Sequence, residues 1–278
     1  KKLTSNKIKT YLIDINNTKI LRDIILRRKV DYIFHAAAYK HVDLLENNHI
    51  SAIKNNFIGT LSVLRAIMNL NINLSIISTD KAVFPKSILG ITKRASEIVA
   101  RNFSNYPNYK NAKINIVRFG NVFGSQGSAI ETFVNQILNK KKITITSYNM
   151  KRYFMSIREA CNLVIQTAAL ELKNKIFILD MGKQIKIIDL IKKILAFYKK
   201  NINDFKIVEI GVKKGEKKSE SLSDLNKIIK TKIKKLMISK EKEKKINRLQ
   251  KKIDLIEQTI ADNNSKKAVF EIKKLTRI

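Results

Sequence analysis

The sequence contains a single cysteine, Cys161, and this scarcity limits the kinds of site the chain can build. Without a second cysteine in the chain, neither a disulfide framework nor a cysteine-based metal cluster can form, so a reducing compartment is the simplest setting. Cys161 lies in an apolar, helix-like segment, and we expect it to be a small core residue. Histidine spacing gives no recognisable metal-ligand pattern either, so no metal site is predicted.

Long apolar runs are also missing from the sequence. No uninterrupted stretch approaches the roughly 18 apolar residues that identify a membrane-spanning helix. The basic start at Lys1 and Lys2 is not followed by a long apolar segment, as a signal peptide would require. The sequence therefore predicts neither a membrane span nor a signal peptide.

Acidic residues are few, and their scarcity sets the charge. The chain has 23 Asp and Glu against 56 Lys and Arg, for a net charge of +33. Such a charge could attract nucleic acid, because neutralised phosphates supply most non-specific affinity. The lysines, however, are spread through nearly every segment, which indicates a compositional bias rather than one binding patch. We expect no specific nucleic-acid partner; a membrane surface or an acidic partner remains the alternative.

The order of apolar runs predicts an α/β fold. The 278 residues, 44% of them hydrophobic, suffice to bury a large core. Within residues 1–140, short apolar runs alternate with amphipathic segments, which predicts parallel βαβ units in a doubly wound sheet. Ligands of such sheets bind at the carboxyl ends of the strands. Strands are predicted at 10–13, 32–35, 74–77 and 114–117, and helices at 18–27, 50–69, 87–103 and 130–138.

The pattern changes after residue 140. Short strands and helices over residues 141–220 predict a smaller α+β substrate-binding lobe, interleaved with the end of the main sheet. From residue 221 to 278 we predict a mostly helical, charged tail. Its apolar residues recur at helical spacing, which favours one buried helix face over the alternative of a coiled coil. These residues are Ile246, Leu249, Ile253, Ile256 and Ile260.

One short segment concentrates groups that can move protons. The apolar run at 74–77 leads directly into a hydroxyl, a carboxyl and an amine, which belong to Thr79, Asp80 and Lys81. The following helix carries Lys93 near its start. An exposed Asp–Lys pair on a loop is the ordinary alternative for the dipeptide alone, but here the pair sits at a predicted ligand-binding edge.

Four blocks of the sequence, taken together, resemble one family. They are HAAAYKHV at 35–42, STDKAV at 78–83, VRFGNVFGSQGS at 117–128 and RYFM at 152–155. These blocks are similar to those of the CapD-like polysaccharide-biosynthesis proteins, extended short-chain dehydrogenase/reductases that act as UDP-N-acetylglucosamine 4,6-dehydratases. The resemblance runs from about Tyr11 to Glu220. It implies a Rossmann-like fold, a UDP-sugar substrate, NAD or NADP as cofactor, and a cytoplasmic location, at the inner membrane face if a longer protein is attached there.

The resemblance also implies a reaction and roles within it. The cofactor oxidises C4 of the sugar, water is eliminated across C5 and C6, and the hydride returns to C6. Lys81 would be the base at C5 and Asp80 the acid at C6, which requires a neutral Lys81 and a protonated Asp80. Leu89 stands where many members carry a tyrosine that accepts the C4 hydroxyl proton, so Thr79 or Asp80 would accept it. Lys93 would bind the nicotinamide ribose.

Further positions carry over from the resemblance. Cofactor binding is expected at Asp14, Ile15, Ala36, Ala37, Ala38, Asn56 and Lys93. For Asp14 a polar turn residue, and for Asn56 an ordinary helix-surface asparagine, are the alternatives. Substrate binding is expected at Lys40, His41, Asn121, Ser125, Ser128, Arg152, Lys213 and Glu216. A homo-oligomer is compatible with such a fold.

A glycine-rich turn between a first strand and helix, which holds the pyrophosphate in dinucleotide-binding folds, is missing from the sequence. We therefore expect an N-terminally incomplete domain that binds NAD poorly by itself. Two alternatives to the dehydratase remain open: a UDP-sugar epimerase, and an inactive fragment of such an enzyme. A non-catalytic module that uses its basic surface alone would show steep salt dependence without sugar preference.

Overall fold

The computed structural model describes residues 8–125, 127–222 and 228–276 of the chain. Its strands are, in chain order, β1 (Tyr32–His35), β2 (Asn73–Thr79), β3 (Ile114–Phe119), β4 (Asn121–Phe123), β5 (Ile143–Ile145), β6 (Lys151–Arg152), β7 (Phe154–Ser156), β8 (Ile176–Leu179), β9 (Ile185–Lys186), β10 (Ile207–Glu209), β11 (Ile228–Lys230) and β12 (Leu236–Ser239). Its helices are α1 (Thr18–Arg28), α2 (Val42–Asn47), α3 (His49–Ala52), α4 (Gly59–Ala66), α5 (Ile88–Phe103), α6 (Ala129–Leu138), α7 (Ile157–Ala168), α8 (Ile187–Phe197), α9 (Leu249–Ala261) and α10 (Ser265–Thr276).

The main sheet follows the order β1-β2-β3-β8-β12-β11. Strands β1, β2, β3 and β8 pair in parallel, and the long β2–β3 register runs from Leu74 opposite Ile114 to Thr79 opposite Phe119. Strands β12 and β11 add an antiparallel hairpin beyond β8. The carboxyl ends of the parallel strands therefore meet at one edge, which confirms the predicted α/β doubly wound class.

Helices cover both faces of this sheet. Alternate residues of β3 point to opposite sides, so Ile114 and Ile116 join one buried cluster and Val117 joins another. The first cluster is closed by α4, α5, α9 and α10, and the second by α7. Helix α5 starts at a defined point because the Ser87 side chain accepts a hydrogen bond from the backbone N–H of Gly90.

A π-helical turn, Ile53–Ile58, joins α3 to α4 in one continuous helical stretch. The prediction of a helix over 50–69 is confirmed for most of its length, but the π turn was not predicted. Such turns insert an extra residue into a helix and are frequent at functional sites. Here the turn contains Asn56, which is almost completely buried.

The smaller lobe has its own core. Parallel strands β5 and β10 pair Ile143 with Ile207, and helices α6 and α8 pack around them. Two further strand pairs, β4 with β7 and β6 with β9, connect this lobe to the rim of the main sheet. The predicted division of the chain at residues 140 and 220 stays a prediction, because β8 within the second segment completes the parallel part of the main sheet.

Two expectations about the fold are wrong, and a third feature was not predicted. Residues 10–13 do not form a strand, and among the described residues no strand lies beside the outer edge of β1 to pair with them. The segment from 221 onward, predicted as mostly helical, also contributes two short strands that were not predicted, since β11 and β12 cover the open edge of β8. Cys161 is exposed and not a core residue, since α7 turns its Leu163 and Val164 face inward instead.

The tail does contain the predicted amphipathic helix. Leu249, Ile253 and Ile256 of α9 are buried in the main core, and α10 packs beside it. Across the described ranges 8–125, 127–222 and 228–276, none of the helices has the length and apolar character needed to cross a bilayer.

Candidate active site

The proton-moving groups predicted from the sequence lie at the carboxyl end of β2. Strand β2 ends at Thr79, and a 3-10 turn follows over Asp80–Ala82. The Thr79 hydroxyl donates to Asp80 Oδ1 at 2.8 Å, and Lys81 Nζ donates to the same oxygen at 3.0 Å. The Thr79 oxygen also accepts from the Lys81 backbone N–H, at 3.3 Å, which fixes the turn. One carboxylate oxygen thus holds both a hydroxyl and an amine.

Asp80 is completely buried, whereas the Lys81 side chain keeps 20% of its surface exposed. Among the described residues, the second carboxyl oxygen, Asp80 Oδ2, has no hydrogen-bond partner. It faces Gly120, where an added Cβ would lie only 3.0 Å away. An unpaired buried carboxyl oxygen is unfavourable, so Oδ2 is the position of this carboxyl that remains open to a further hydrogen bond. The turn therefore places a carboxyl, an amine and a hydroxyl within hydrogen-bond distance at one point of the sheet edge.

Lys93 lies on α5 beside this turn and is also buried. Burial lowers the pKa of Lys93 to about 8, although the Glu97 carboxylate opposes part of that shift. No hydrogen bond or ion pair joins Lys93 to the part of the chain that the structure describes, so its amine can serve a ligand. Leu89, one helical turn earlier, is buried and lines the same cavity.

Two buried polar residues support the end of β1. Asn56 accepts from the Tyr39 backbone N–H at 2.7 Å and donates to the Tyr39 carbonyl at 3.0 Å. Because Asn56 is 1% exposed, its alternative reading as a helix-surface residue is wrong. His35 Nε2 lies 3.0 Å from the Thr60 hydroxyl. Burial, together with the nearby charge of Lys93, lowers the pKa of His35 to about 3, so its imidazole is neutral.

A cavity of about 510 Å³ opens in front of these groups, between the main sheet and the smaller lobe. Most of the predicted site residues share its wall. They are Ala36, Ala38, Lys40, His41, Thr79, Lys81, Lys93, Asn121, Ser125, Ser128, Arg152, Lys213 and Glu216. Asp80 lies directly behind the wall, bonded to Thr79 and Lys81, and Asn56 lies behind Tyr39. Ala37 is not on the wall.

Asp14 and Ile15 lie away from this cavity. Asp14 Oδ1 accepts from both the backbone and the side-chain N–H groups of Asn16, so it forms the polar turn that the sequence left as an alternative. The backbone hydrogen bond from Asn16 lowers the pKa of the Asp14 carboxyl. Ile15 packs against Gly59 of α4. A cofactor role for these two residues stays a prediction.

One side of the cavity is built from the smaller lobe. Arg152 is buried and spends one guanidinium nitrogen on the Lys151 and Lys218 carbonyls, at 2.8 and 3.3 Å. Lys213 pairs with Asp43 across the cavity mouth at 3.2 Å. This pair joins the loop after β10 to α2, and therefore joins the two lobes.

The loop between β4 and α6 owes its path to glycine. Gly127 has a φ of +67°, and an added Cβ there would lie 2.7 Å from the His41 ring. Ser128 caps α6 by accepting from the Glu131 backbone N–H, at 3.4 Å. This close approach brings the loop and His41 together at the cavity wall.

Sequence reasoning missed Glu220. This residue is 4% exposed, lines the cavity, and has Oε2 3.3 Å from Lys217 Nζ. That oxygen makes no hydrogen bond of good geometry within the described ranges, so the contact with Lys217 is ionic only. The sequence did contain a signal, because Glu216 and Glu220 are the only acidic residues in the lysine-rich segment 211–220.

Comparisons with known proteins agree on one family. The family model described as "Polysaccharide biosynthesis protein" matches residues 1–227. The chain is 37% identical over 263 residues to the capsular polysaccharide biosynthesis protein CapD of Staphylococcus aureus, covering 94% of this chain and 43% of that protein. It is 35% identical over 223 residues to UDP-glucose 4-epimerase of Rickettsia canadensis, covering 79% and 63%. The chain therefore spans less than half of CapD and less than two thirds of that epimerase.

Solved structures share the fold. Pen from Bacillus thuringiensis has a TM-score of 0.76 at 30% identity, covering 84% of this chain and 72% of that one. DesIV, a dTDP-glucose 4,6-dehydratase from Streptomyces venezuelae crystallised with NAD and TYD, has a TM-score of 0.66 at 19% identity, covering 76% and 68%. The second likeness supports the Rossmann-type architecture alone.

Proposed function

The chain belongs to the polysaccharide biosynthesis protein family, and on that premise we propose that it is the catalytic part of a UDP-N-acetylglucosamine 4,6-dehydratase. The observation that carries the proposal is the Thr79–Asp80–Lys81 cluster at the wall of the cavity. A buried carboxyl with one unpaired oxygen, bonded to an amine and a hydroxyl that both reach the cavity, supports acid–base chemistry on a bound sugar.

NAD or NADP, when bound, would supply the oxidant for C4 and the hydride for C6. The residues present fit such a group. Lys93 offers a buried amine with no other partner in the described residues, and Ala36 and Ala38 leave room for a ligand at the carboxyl end of β1. Asp14 and Ile15 would contact the adenine side, and Asn56 supports the strand end through Tyr39.

Lys81 is the base in this proposal and Asp80 the acid. The Lys81 side chain is 20% exposed and would first release its ammonium proton to solvent, while the Asp80 carboxylate would take up the C4 hydroxyl proton through Thr79, so that a neutral amine and a carboxylic acid face the 4-keto sugar. The amine removes the proton from C5, which an adjacent C4 ketone acidifies. The carboxylic acid donates a proton toward the departing C6 hydroxyl, and Thr79, bonded to Asp80, carries that proton to the cavity.

Leu89 leaves the C4 hydroxyl without the tyrosine that many relatives place there. Leucine has no group that can accept a proton, and it is buried at the cavity wall. The Thr79 hydroxyl lies at the same wall and is bonded to Asp80, at 2.8 Å. We assign the C4 hydroxyl proton to this Thr79–Asp80 pair. On the opposite side, the UDP diphosphate would contact Arg152, Asn121 and the loop that carries Ser125 and Ser128.

The decisive experiment incubates the purified chain with UDP-N-acetylglucosamine and a large excess of NAD in D₂O, because weak NAD binding is expected, and analyses the product by mass spectrometry and NMR. A dehydratase yields a 4-keto-6-deoxy sugar that has lost one water and carries solvent deuterium at C5. Lys81→Ala should abolish this product, while Lys86→Ala, an exposed lysine outside the cavity, should not. Full turnover by Lys81→Ala would contradict the mechanism.

A UDP-sugar 4-epimerase is the second candidate. It is favoured by the 35% identity to the UDP-glucose 4-epimerase of Rickettsia canadensis. The same incubation separates the two functions, since an epimerase keeps the C6 oxygen and incorporates no deuterium at C5. Leu89 argues against this candidate, because ordinary 4-epimerases rely on the tyrosine that it replaces. If neither product forms, titration calorimetry with NAD distinguishes a chain that binds no dinucleotide from one that binds it without turnover.

A further inference from the structure

Four charged side chains form a buried cluster behind the 3-10 turn Asp80–Ala82, which we call the catalytic turn. Arg118 of β3 donates to both Glu97 oxygens, at 2.8 and 2.6 Å, and to both Glu241 oxygens, at 2.5 and 3.1 Å. Arg94 bridges the same two carboxylates at 3.2 and 2.8 Å. Arg118 is completely buried and the Glu97 side chain is 1% exposed. Two positive and two negative charges therefore balance in a site that largely excludes water.

This cluster is linked to the catalytic residues in two ways, through a hydrogen bond to Ser78 and along helix α5. Ser78 donates to Glu97 Oε1 at 2.6 Å, and Ser78 is the residue immediately before Thr79. Glu97 also lies one helical turn beyond Lys93 on α5. The Glu97 carboxylate thus fixes the end of β2, which carries Thr79 and Asp80, and it also lies near the buried amine of Lys93.

Glu241 supplies the fourth charge from a distant part of the chain. It lies between β12 and α9, in the C-terminal segment that the sequence analysis treated as a charged tail. Burial tends to raise the pKa of Glu241, but hydrogen bonds and charge from Arg118 and Arg94 outweigh it and lower the pKa to about 2. Without Glu241, the single Glu97 carboxylate would face two guanidinium groups, one of them fully buried.

We propose that Glu241 is a positioning residue for the reaction: it neutralises the Arg94–Arg118 pair, and so leaves Glu97 free to hold Ser78 and the catalytic turn in place. This inference rests on the proposed function for its catalytic readout. The C-terminal segment then contributes to the active site, although none of its described residues lines the cavity.

The test compares Glu241→Gln with Glu257→Gln. Each substitution removes one negative charge of the C-terminal segment, and each removed carboxylate forms a bidentate ion pair with an arginine of the main domain. Glu257 bonds Arg65 at 2.5 and 3.0 Å on the outer helices, with both side chains about one-third exposed and away from the cavity. Each variant is assayed for kcat and KM, for thermal unfolding, and for hydrogen–deuterium exchange of the peptide over residues 74–83.

Glu241→Gln should lower kcat roughly ten- to a hundredfold with KM within about twofold, since small misplacements of catalytic groups carry such penalties. It should also speed amide exchange over 74–83. Glu257→Gln should leave kcat and that exchange unchanged. Glu241→Asp, which keeps the charge on a shorter arm, should recover part of the turnover, and it carries the comparison if Glu241→Gln does not fold.

Equal effects of the two glutamine variants on kcat and on exchange would overturn the inference and leave Glu241 a merely structural residue. Failure of the proposed function looks different, because the unmodified chain would then form no keto sugar. In that case the exchange experiment decides alone. Faster exchange over 74–83 in Glu241→Gln but not in Glu257→Gln supports the positioning role, and matched exchange refutes it.

Discussion

Gly90 allows the catalytic turn to lie directly against α5, and replacing it with alanine should disable the site. A Cβ at residue 90 would lie 2.3 Å from the Lys81 carbonyl oxygen and 3.1 Å from its carbonyl carbon. Ordinary contact begins at 3.4 Å, so the Lys81 backbone must move by about 1.1 Å relative to the helix. The Lys81 oxygen and carbon are both backbone atoms, so a side-chain rotation cannot relieve the clash.

The sign of the effect on stability follows from two opposing terms. Alanine is favoured over glycine inside a helix by about 1 kcal/mol. Overpacking of a buried contact costs roughly 1–3 kcal/mol. We therefore expect Gly90→Ala to lower the free energy of unfolding by about 0–2 kcal/mol, whereas helix propensity alone predicts a gain. Turnover should fall much further, roughly a hundredfold, because a displacement near 1 Å moves Lys81 away from its substrate.

Gly59→Ala is the matched control for this change. It places alanine in α4, where the nearest outside atom is the Cγ2 methyl of Ile15 at 2.9 Å, so the contact is with a side chain and not with the backbone of the turn Asp80–Ala82. Thermal unfolding and keto-sugar formation are measured for both variants at saturating dinucleotide, because Ile15 is expected on the adenine side. The reasoning is refuted if Gly90→Ala unfolds at a higher temperature than the unmodified chain and retains its turnover.

Two further predictions concern buried ionisable groups. Lys93→Met should raise the free energy of unfolding at pH 7 by about 2–3 kcal/mol and abolish turnover. The reason is that burial lowers the pKa of Lys93 from 10.5 to about 8, so the folded state disfavours the charged amine. A lower denaturation midpoint in urea would contradict this prediction. His35 has its pKa lowered from 6.5 to about 3, so the unfolded state binds a proton that the native state does not. The contribution of His35 to stability should therefore fall by roughly 1.4 kcal/mol per pH unit as pH decreases from 6.5 toward 3, and His35→Gln should flatten that part of the urea-denaturation profile; an unchanged slope would refute it.

Much of the parallel sheet could be predicted because its strands and helices carry strong local signals. The run that forms β2 is apolar and ends in polar residues, and Ser87 marks the start of α5. The outcome at 10–13 could not be predicted in this way. A strand exists only where a neighbour accepts its backbone hydrogen bonds, and that is a property of the whole sheet rather than of the segment.

The cavity wall was predictable in large part because the family blocks mark residues at strand ends. The sequence could not reveal that Asp80 lies behind the wall, or that one of its oxygens serves both Thr79 and Lys81. Nor could it reveal the contact of Arg118 with Glu241, because 123 positions separate the two residues. A lysine-rich tail gives no local sign that one of its few carboxylates enters the core.

The exposed thiol of Cys161 has a practical consequence. It is the only cysteine in the chain, and it lies on the solvent side of α7, whose opposite face packs on β3 and β8. A maleimide fluorophore would therefore attach at one known point without any mutagenesis. Helix α7 begins directly after β7, the strand that pairs with β4 beside the cavity. A dye at Cys161 would offer a fixed optical reference from which movement of the smaller lobe during ligand binding could be followed.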